Sequence, residues 1–239
     1  FGAGEHKQHF LVFDYLGNFE FFREHKEGLA ASESQSLTEA IFAKRVRLIH
    51  HLQHAAFVDH PYQKLRQELV ETVVQQINAL NPELIAVRLQ LQHVEKYKNK
   101  EAFVCLEELD KHHLISFLAP IVYMHDEDEY GKRFDNFMFG MMIAQIEAMP
   151  HFSRSKRQLI NICVHLAQRA TIPQVKEKLE FINTIETEEF WQGTDILNLE
   201  KVRVELRDLI KFIVDEKGRP TVYTNLQDTI TSIINGQVL

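Results

Sequence analysis

The chain has 239 residues, of which 45 % are hydrophobic and 26 % charged, as expected of a globular protein with a sizeable core. Its net charge of −7 argues against DNA binding as the main task, because free-standing DNA-binding domains are usually basic. No apolar run approaches the ~20 residues of a membrane-spanning helix, and no signal peptide is visible. We therefore expect a cytoplasmic protein that makes no membrane contact.

The first element predicted along the chain is a buried strand at residues 9–14, where a dense apolar run ends at Asp14. A turn containing Gly17 follows, and residues 18–22 then read NFEFF. A single strand cannot form a sheet, and no other strand pattern lies nearby. Because the chain also opens on Phe1 rather than methionine, we expect a fragment that begins near the end of a sheet-containing domain.

Helical periodicity begins at Ser36, after a polar stretch at 24–36 that we interpret as a linker. Ser36 and Glu39 have the spacing of a capping box, and Pro61 fits the first turn of a second helix. Only nine glycines and six prolines occur in the whole chain, which favours long helices over a fold with many turns.

The same helical periodicity predicts the later elements. Residues 84–94 are predicted to form one helix, and further helices are predicted to start near Ser153, Thr171 and Asn198. Phe190 and its neighbour Trp191 are predicted to lie in a short irregular segment. The apolar stripes of these helices predict the following core: Leu65, Leu69, Val73, Ile77, Leu84, Val87, Leu91, Val94, Leu109, Phe134, Phe137, Met138, Met141, Leu159, Ile162, Leu166, Leu199, Val202, Leu206, Leu209, Ile210 and Ile213.

These elements together predict a mainly α fold. Residues 31–239 are expected to form an irregular multi-helix bundle, and residues 1–30 to contribute one residual strand and a linker. We expect roughly two-thirds of the residues to be helical, well above the average for globular proteins.

Histidines are the first candidates for chemistry, since the chain has thirteen of them. The tightest group is His50, His51 and His54, in which His50 and His54 share one face of a helix. A zinc site needs further ligands, yet no glutamate or cysteine stands at matching spacing and the His-Glu-x-x-His pattern is absent. The sequence therefore predicts a partly buried, solvated histidine cluster, with metal binding as the alternative.

Short basic clusters are the second group of candidates. They occur at 44–47, 96–100, 132–133 and 154–157, each with acidic neighbours, so solvated helix faces are the expected interpretation and DNA contact is the alternative.

The acidic run and the two cysteines are predicted to have structural rather than functional roles. The acidic run at 126–129 lacks the spacing of a calcium loop and is predicted to be a solvated loop that caps the next helix. Cys105 and Cys163 are far apart and are predicted to be buried thiols.

The strand and aromatic segment resembles a known family. It is similar to the end of the second helicase-type ATPase domain in the R (restriction, motor) subunit of type I restriction enzymes. The matching residues are Phe13, Asp14, Asn18, Phe19, Glu20, Phe21 and Phe22. The resemblance returns at 197–213 and at 222–225, whereas Leu226 and Gln227 depart from the family pattern.

This resemblance implies a role in a restriction–modification enzyme. In that family the R subunit is an ATP-hydrolysing endonuclease with helicase-type domains, and the whole complex uses ATP and Mg²⁺ to translocate and cut double-stranded DNA. Its C-terminal helical domain is thought to dock the motor onto the methyltransferase (M) and specificity (S) subunits. Residues 1–30 would end the second ATPase domain, and residues 31–239 would form the assembly domain.

The resemblance assigns no catalytic, cofactor-binding or metal-binding residue to this chain. A Gly-Lys-Ser/Thr phosphate loop and a carboxylate–lysine nuclease motif are both missing from the sequence, so we expect no ATPase or nuclease activity here. Two alternatives stay open: a helical element that guides DNA behind the motor, and an independent metal-dependent helical protein.

Overall fold

A computed structural model describes residues 36–123 and 128–213 of the chain. These residues are mainly helical and contain no strand, which confirms the mainly α class. The predicted strand at 9–14, the boundary between 1–30 and 31–239, and the segment at 222–225 lie outside the described residues.

The described residues form eleven α-helices. In chain order they are α1 Leu37–His51, α2 His60–Asn78, α3 Ile85–Leu89, α4 Leu91–Tyr97, α5 Glu108–His113, α6 Glu129–Ile146, α7 Phe152–Ala167, α8 Pro173–Glu177, α9 Leu179–Ile185, α10 Glu188–Gln192 and α11 Ile196–Leu206. Short 3₁₀ turns lie at Ala55–Phe57, Lys100–Phe103, Ala119–Ile121 and Arg207–Ile213, and a π turn at Leu114–Leu118. Among the helices described, none is both long and apolar enough to cross a bilayer.

The core forms where α1 lies against α6, with α2 against α1 and α11 against α6. α7 and α9 pack on each other in the C-terminal half. The apolar stripes predicted from the sequence are buried almost throughout, including the whole stripe from Leu199 to Ile213. Three predicted residues are exceptions: Leu109 on α5 is 59 % exposed, Leu84 is 56 % exposed and Leu91 is 43 % exposed.

The first residues of the helices can be compared with the predicted caps. Ser36 Oγ accepts a hydrogen bond from the Glu39 amide at 3.1 Å, which is the serine half of the predicted capping box, and Pro61 lies in the first turn of α2 as predicted. Asp128 caps α6 by accepting from the Gly131 amide at 3.0 Å, in agreement with the predicted role of the acidic run.

Three predicted starts were displaced by a few residues. Ser153 lies inside the first turn of α7, and Ile172 rather than Thr171 precedes α8. The cap of α11 is Asp195, which accepts from the Asn198 amide at 2.9 Å; the prediction of Asn198 as the cap was wrong. The Asp195 carboxylate satisfies a free amide of the first turn, so α11 begins at Ile196 and Asn198 lies inside the helix.

Two segments have a different secondary structure from the predicted one. Residues 84–94 are split into α3 and α4 at Gln90, where φ is −111° and ψ is 14°, and within α3 only Val87 is buried. Phe190 and Trp191 lie in the short helix α10, which Thr187 caps, rather than in irregular structure. The Trp191 indole donates to the Ile185 carbonyl at 2.8 Å and so fixes α10 against the end of α9.

A buried ionic cluster joins α6 to the C-terminal helices. Asp135, only 2 % exposed, accepts from Arg203 Nη1 at 2.6 Å and from Arg207 Nε at 2.9 Å. Glu200 binds the other edge of the Arg203 guanidinium at 2.6 and 2.7 Å. Two cations shared by two carboxylates satisfy the charges that burial would otherwise leave unpaired.

Candidate functional site

The histidine cluster lies where α1 ends. His50 and His51 are the last residues of α1, and the His54 amide donates to the His51 carbonyl at 3.1 Å, which closes a turn and brings the third ring back. The ring centroids are 5.5 Å apart for His50 and His54, 6.1 Å for His50 and His51, and 6.4 Å for His51 and His54. One ring nitrogen from each histidine lies within 4.8 Å of the other two.

A glutamate distant in sequence reaches the buried member of this cluster. The Gln53 side chain donates to the Leu106 carbonyl at 2.7 Å and accepts from the Leu106 amide at 2.9 Å. This pairing holds the start of α5 against the end of α1. As a result Glu108 Oε1 lies 3.3 Å from His50 Nε2.

A second glutamate reaches His51 from the end of α6. Glu147, the residue after α6, has Oε1 2.8 Å from His51 Nε2 and 2.7 Å from Arg47 Nη2. A carboxylate only accepts, so His51 Nε2 must carry the hydrogen, and Nδ1 keeps its lone pair in the neutral ring. Burial raises the pKa of Glu147, but the hydrogen bonds from Arg47 and His51 outweigh it and hold this pKa below its usual value.

Electrostatics favour a neutral His50. Burial and, secondarily, the Lys111 cation lower the pKa of His50 below its ordinary value. Neutral imidazole is the form that binds metals and that accepts protons. The Lys111 ammonium also contacts Glu108 Oε2 at 2.5 Å, so any other cation at this site competes with it.

Sequence reasoning found the three histidines but not the two glutamates. Glu147 follows His51 by 96 positions, and no local spacing signals a contact of that range. The sequence showed only that no glutamate stands at matching spacing near the histidines, and both glutamates come from distant positions. Only the packing of α1 against α5 and α6 creates these contacts.

The basic clusters are mostly engaged within the protein. For 44–47 the predicted solvated face is wrong. Lys44 Nζ donates to the Asn136 carbonyl at 3.0 Å, and Arg45 is 8 % exposed, with its guanidinium 5.4 Å from the Phe139 ring centroid. Burial and, secondarily, Arg47 lower the pKa of Lys44 to about 8.

The other clusters form ion pairs at the surface. Lys96 pairs with Asp110 at 2.7 Å, Lys100 with Glu71 at 2.5 Å, and Lys156 with Glu188 at 3.1 Å. These neutralised lysines offer little net attraction to a phosphate backbone.

An exposed apolar surface lies on α3 and its flanks. We call Leu84, Ile85, Leu89 and Leu91 the α3 patch; they are 56 %, 75 %, 73 % and 43 % exposed, respectively. Ile85 and Leu89 are one helical turn apart and therefore share a face. Large apolar side chains grouped in this way are typical of a surface that a partner covers.

The cysteines have different environments. Cys163 is buried as predicted, and burial followed by the charge of Glu186 raises its pKa to about 12, which leaves an unreactive thiol. Cys105 is exposed, so its predicted burial was wrong. It lies beside the exposed Val104 in a bend between the buried residues Phe103 and Leu106.

Comparison of the chain with protein-family models, curated proteins and solved structures finds no match.

Proposed function

We propose that this chain is the C-terminal helical part of the R subunit of a type I restriction–modification enzyme, and that it docks the motor onto the M and S subunits. The motor and endonuclease activities would belong to the parent subunit, with ATP and Mg²⁺ as its cofactors. The role of this part is mechanical: a helical body that carries load between an ATPase and a DNA-bound core.

The observation that carries the proposal is the α3 patch. Its side chains suit an apolar protein surface, since aromatic and aliphatic anchors provide most of the energy of protein interfaces. They do not suit DNA, whose outer surface is lined with phosphates. The buried ionic cluster around Asp135 connects α6 to α11 and to the 3₁₀ turn that follows it, which is compatible with a load-bearing role.

The DNA-guiding alternative has one observation in its favour. Arg154 and Arg157 are exposed on α7, three positions apart, and so extend from one face of that helix. Two arginines give a weak electrostatic footprint beside a net charge of −7. We therefore rank docking to the M and S subunits above DNA guidance.

The test uses charged substitutions in the α3 patch. Ile85→Asp and Leu89→Asp should each weaken binding to the purified M–S complex at least about tenfold, because an anchor side chain is replaced by a desolvated charge. Helicity by circular dichroism should be unchanged, since both positions are exposed. Val204→Asp is the matched control, because Val204 is an exposed β-branched residue on α11.

Two outcomes would overturn this assignment. Binding to the M–S complex that is indifferent to both substitutions would exclude the α3 patch as the docking surface. Self-association in sedimentation that Ile85→Asp abolishes would instead identify the patch as a contact between copies of this chain.

A further inference from the structure

We propose that His50, His51 and His54 bind one divalent transition-metal ion, of which zinc is the type. The proposal is independent of the assembly role, because it rests only on the side chains that meet at the end of α1. The metal would tie the turn that carries His54 to the end of α1, and through Glu108 it could also reach the start of α5.

The first argument is geometric. In a tetrahedral zinc site with bonds of about 2.0–2.1 Å, ligand nitrogens lie about 3.3 Å apart. The three ring nitrogens here lie within 4.8 Å of one another. The difference is about 1.5 Å, and rotation between side-chain rotamers can close it. His54 is exposed and follows the end of α1, so its ring can move without disturbing the core.

The second argument is that one of the ligands, His51, is already oriented. The Glu147 carboxylate accepts from His51 Nε2 at 2.8 Å and is itself held by Arg47 at 2.7 Å. Histidines that bind metals usually donate their other ring N–H to a carboxylate in this way, which fixes the ring and raises its basicity. Glu147 is therefore a positioning residue for His51 and lies outside the set of ligands.

The third argument concerns the fourth coordination position. Glu108 Oε1 lies 3.3 Å from His50 Nε2, and the Glu108 side chain is 72 % exposed. It can supply an oxygen ligand, or it can orient His50 and leave the fourth position to water. Either set, three imidazoles with one oxygen, suits zinc, cobalt, nickel or copper and does not suit magnesium or calcium.

Lys111 sets the expected strength of the site. Its ammonium contacts Glu108 Oε2 at 2.5 Å, and a bound metal must displace it or share the carboxylate with it. We therefore expect weaker binding than in a structural zinc finger. Replacing this cation by an uncharged side chain of similar length, Lys111→Met, should tighten metal binding.

The experiment is a zinc titration of the untagged chain after removal of metals with a chelator. Calorimetry should show one zinc ion per chain, and cobalt should give the intense visible absorption of a four-coordinate site. Zinc should raise the melting temperature, and excess chelator should reverse the increase. His54→Ala and His51→Gln should abolish the one-to-one binding while leaving helicity intact.

His165→Ala is the matched control, because His165 lies on α7, away from the cluster, and bonds to the Asn161 carbonyl of its own helix. This variant should bind zinc as the original chain does. The proposal is wrong if the chain binds no zinc in one-to-one ratio. It is equally wrong if His54→Ala retains the full affinity, since zinc would then be held elsewhere.

Discussion

At the scale of single residues, the end of α6 holds a strained backbone position. Ala148 has φ = 52°, the only positive value at a non-glycine residue in the described part of the chain. The amides of Ala148 and Met149 donate to the carbonyls of Gln145 and Ala144 at 3.3 and 2.8 Å, which is the bond pattern of a Schellman motif. Glycine is the usual residue at this position because it has no Cβ to clash.

We expect Ala148→Gly to stabilise the protein by about 0.5–1 kcal/mol, since relief of the left-handed strain outweighs the added freedom of the unfolded chain. Urea unfolding followed by circular dichroism measures the change. Ala144→Gly, in the interior of the same helix, should destabilise by about 1 kcal/mol. A loss of stability in Ala148→Gly would contradict the assigned strain.

Because of Tyr97, the free energy of unfolding should depend on pH in the alkaline range. Its ring is fully buried and its hydroxyl donates to Asp110 Oδ1 at 2.8 Å; burial and then this bond raise the pKa of Tyr97 from 10.0 to about 12. Above pH 10 the unfolded chain loses this proton while the folded chain retains it. The stabilisation is therefore complete below pH 10 and is lost progressively as the pH rises toward 12.

Urea unfolding at pH 8 and at pH 11 measures this effect. The original chain should lose more stability between these two values than Tyr97→Phe, which cannot ionise at this position. Equal losses in the two proteins would show that Tyr97 does not titrate in this range.

At the scale of elements, the predicted apolar stripe of α11 can be tested by substitutions on its buried and exposed faces. Leu206 is fully buried, as its place in the stripe predicted. Leu206→Asp should destabilise by about 3 kcal/mol or more, because a carboxylate would be desolvated without a partner. Val204→Asp, two residues earlier and 58 % exposed, should leave the melting temperature nearly unchanged. Similar melting temperatures for the two variants would contradict the assigned faces of α11.

The junction of α6 with α11 depends on its buried ions. Asp135→Asn keeps the shape of the side chain but leaves Arg203 and Arg207 short of negative charge in the interior. We expect a loss of about 3 kcal/mol in thermal or urea unfolding. Asp208→Asn is the control, since the Asp208 side chain is 79 % exposed. If both variants unfolded alike, the Asp135 cluster would not hold this junction.

At the scale of the whole molecule, the sequence predicted the mainly α class and nearly every buried stripe, because helical periodicity reports directly which face is covered. It located Ser36 and Pro61 correctly for the same local reason. It failed where distant packing decides the outcome. Leu84 and Leu89 follow an apolar pattern, yet α3 has little core to cover, and Asp135 meets Arg203 across 68 positions.

The candidate sites also contain residues that the sequence could reveal and residues that it could not. The close spacing of His50, His51 and His54 was visible in the sequence, since i, i+1 and i+4 meet at a helix end. Glu108 and Glu147 were not visible, because only the packing of α1 against two other helices brings them near. The α3 patch was likewise hidden, since apolar residues that a partner covers and those that the core covers have the same pattern.

The central claim is that this chain binds the M–S complex in preference to DNA. Paired titrations at low and moderate salt, one with the M–S complex and one with non-specific duplex DNA, test it most directly. We expect tight binding to the complex that varies little with salt, and weak binding to DNA, because an acidic surface repels phosphates. Tight DNA binding with a steep salt dependence and no binding to the complex would contradict the claim and favour a DNA-guiding role.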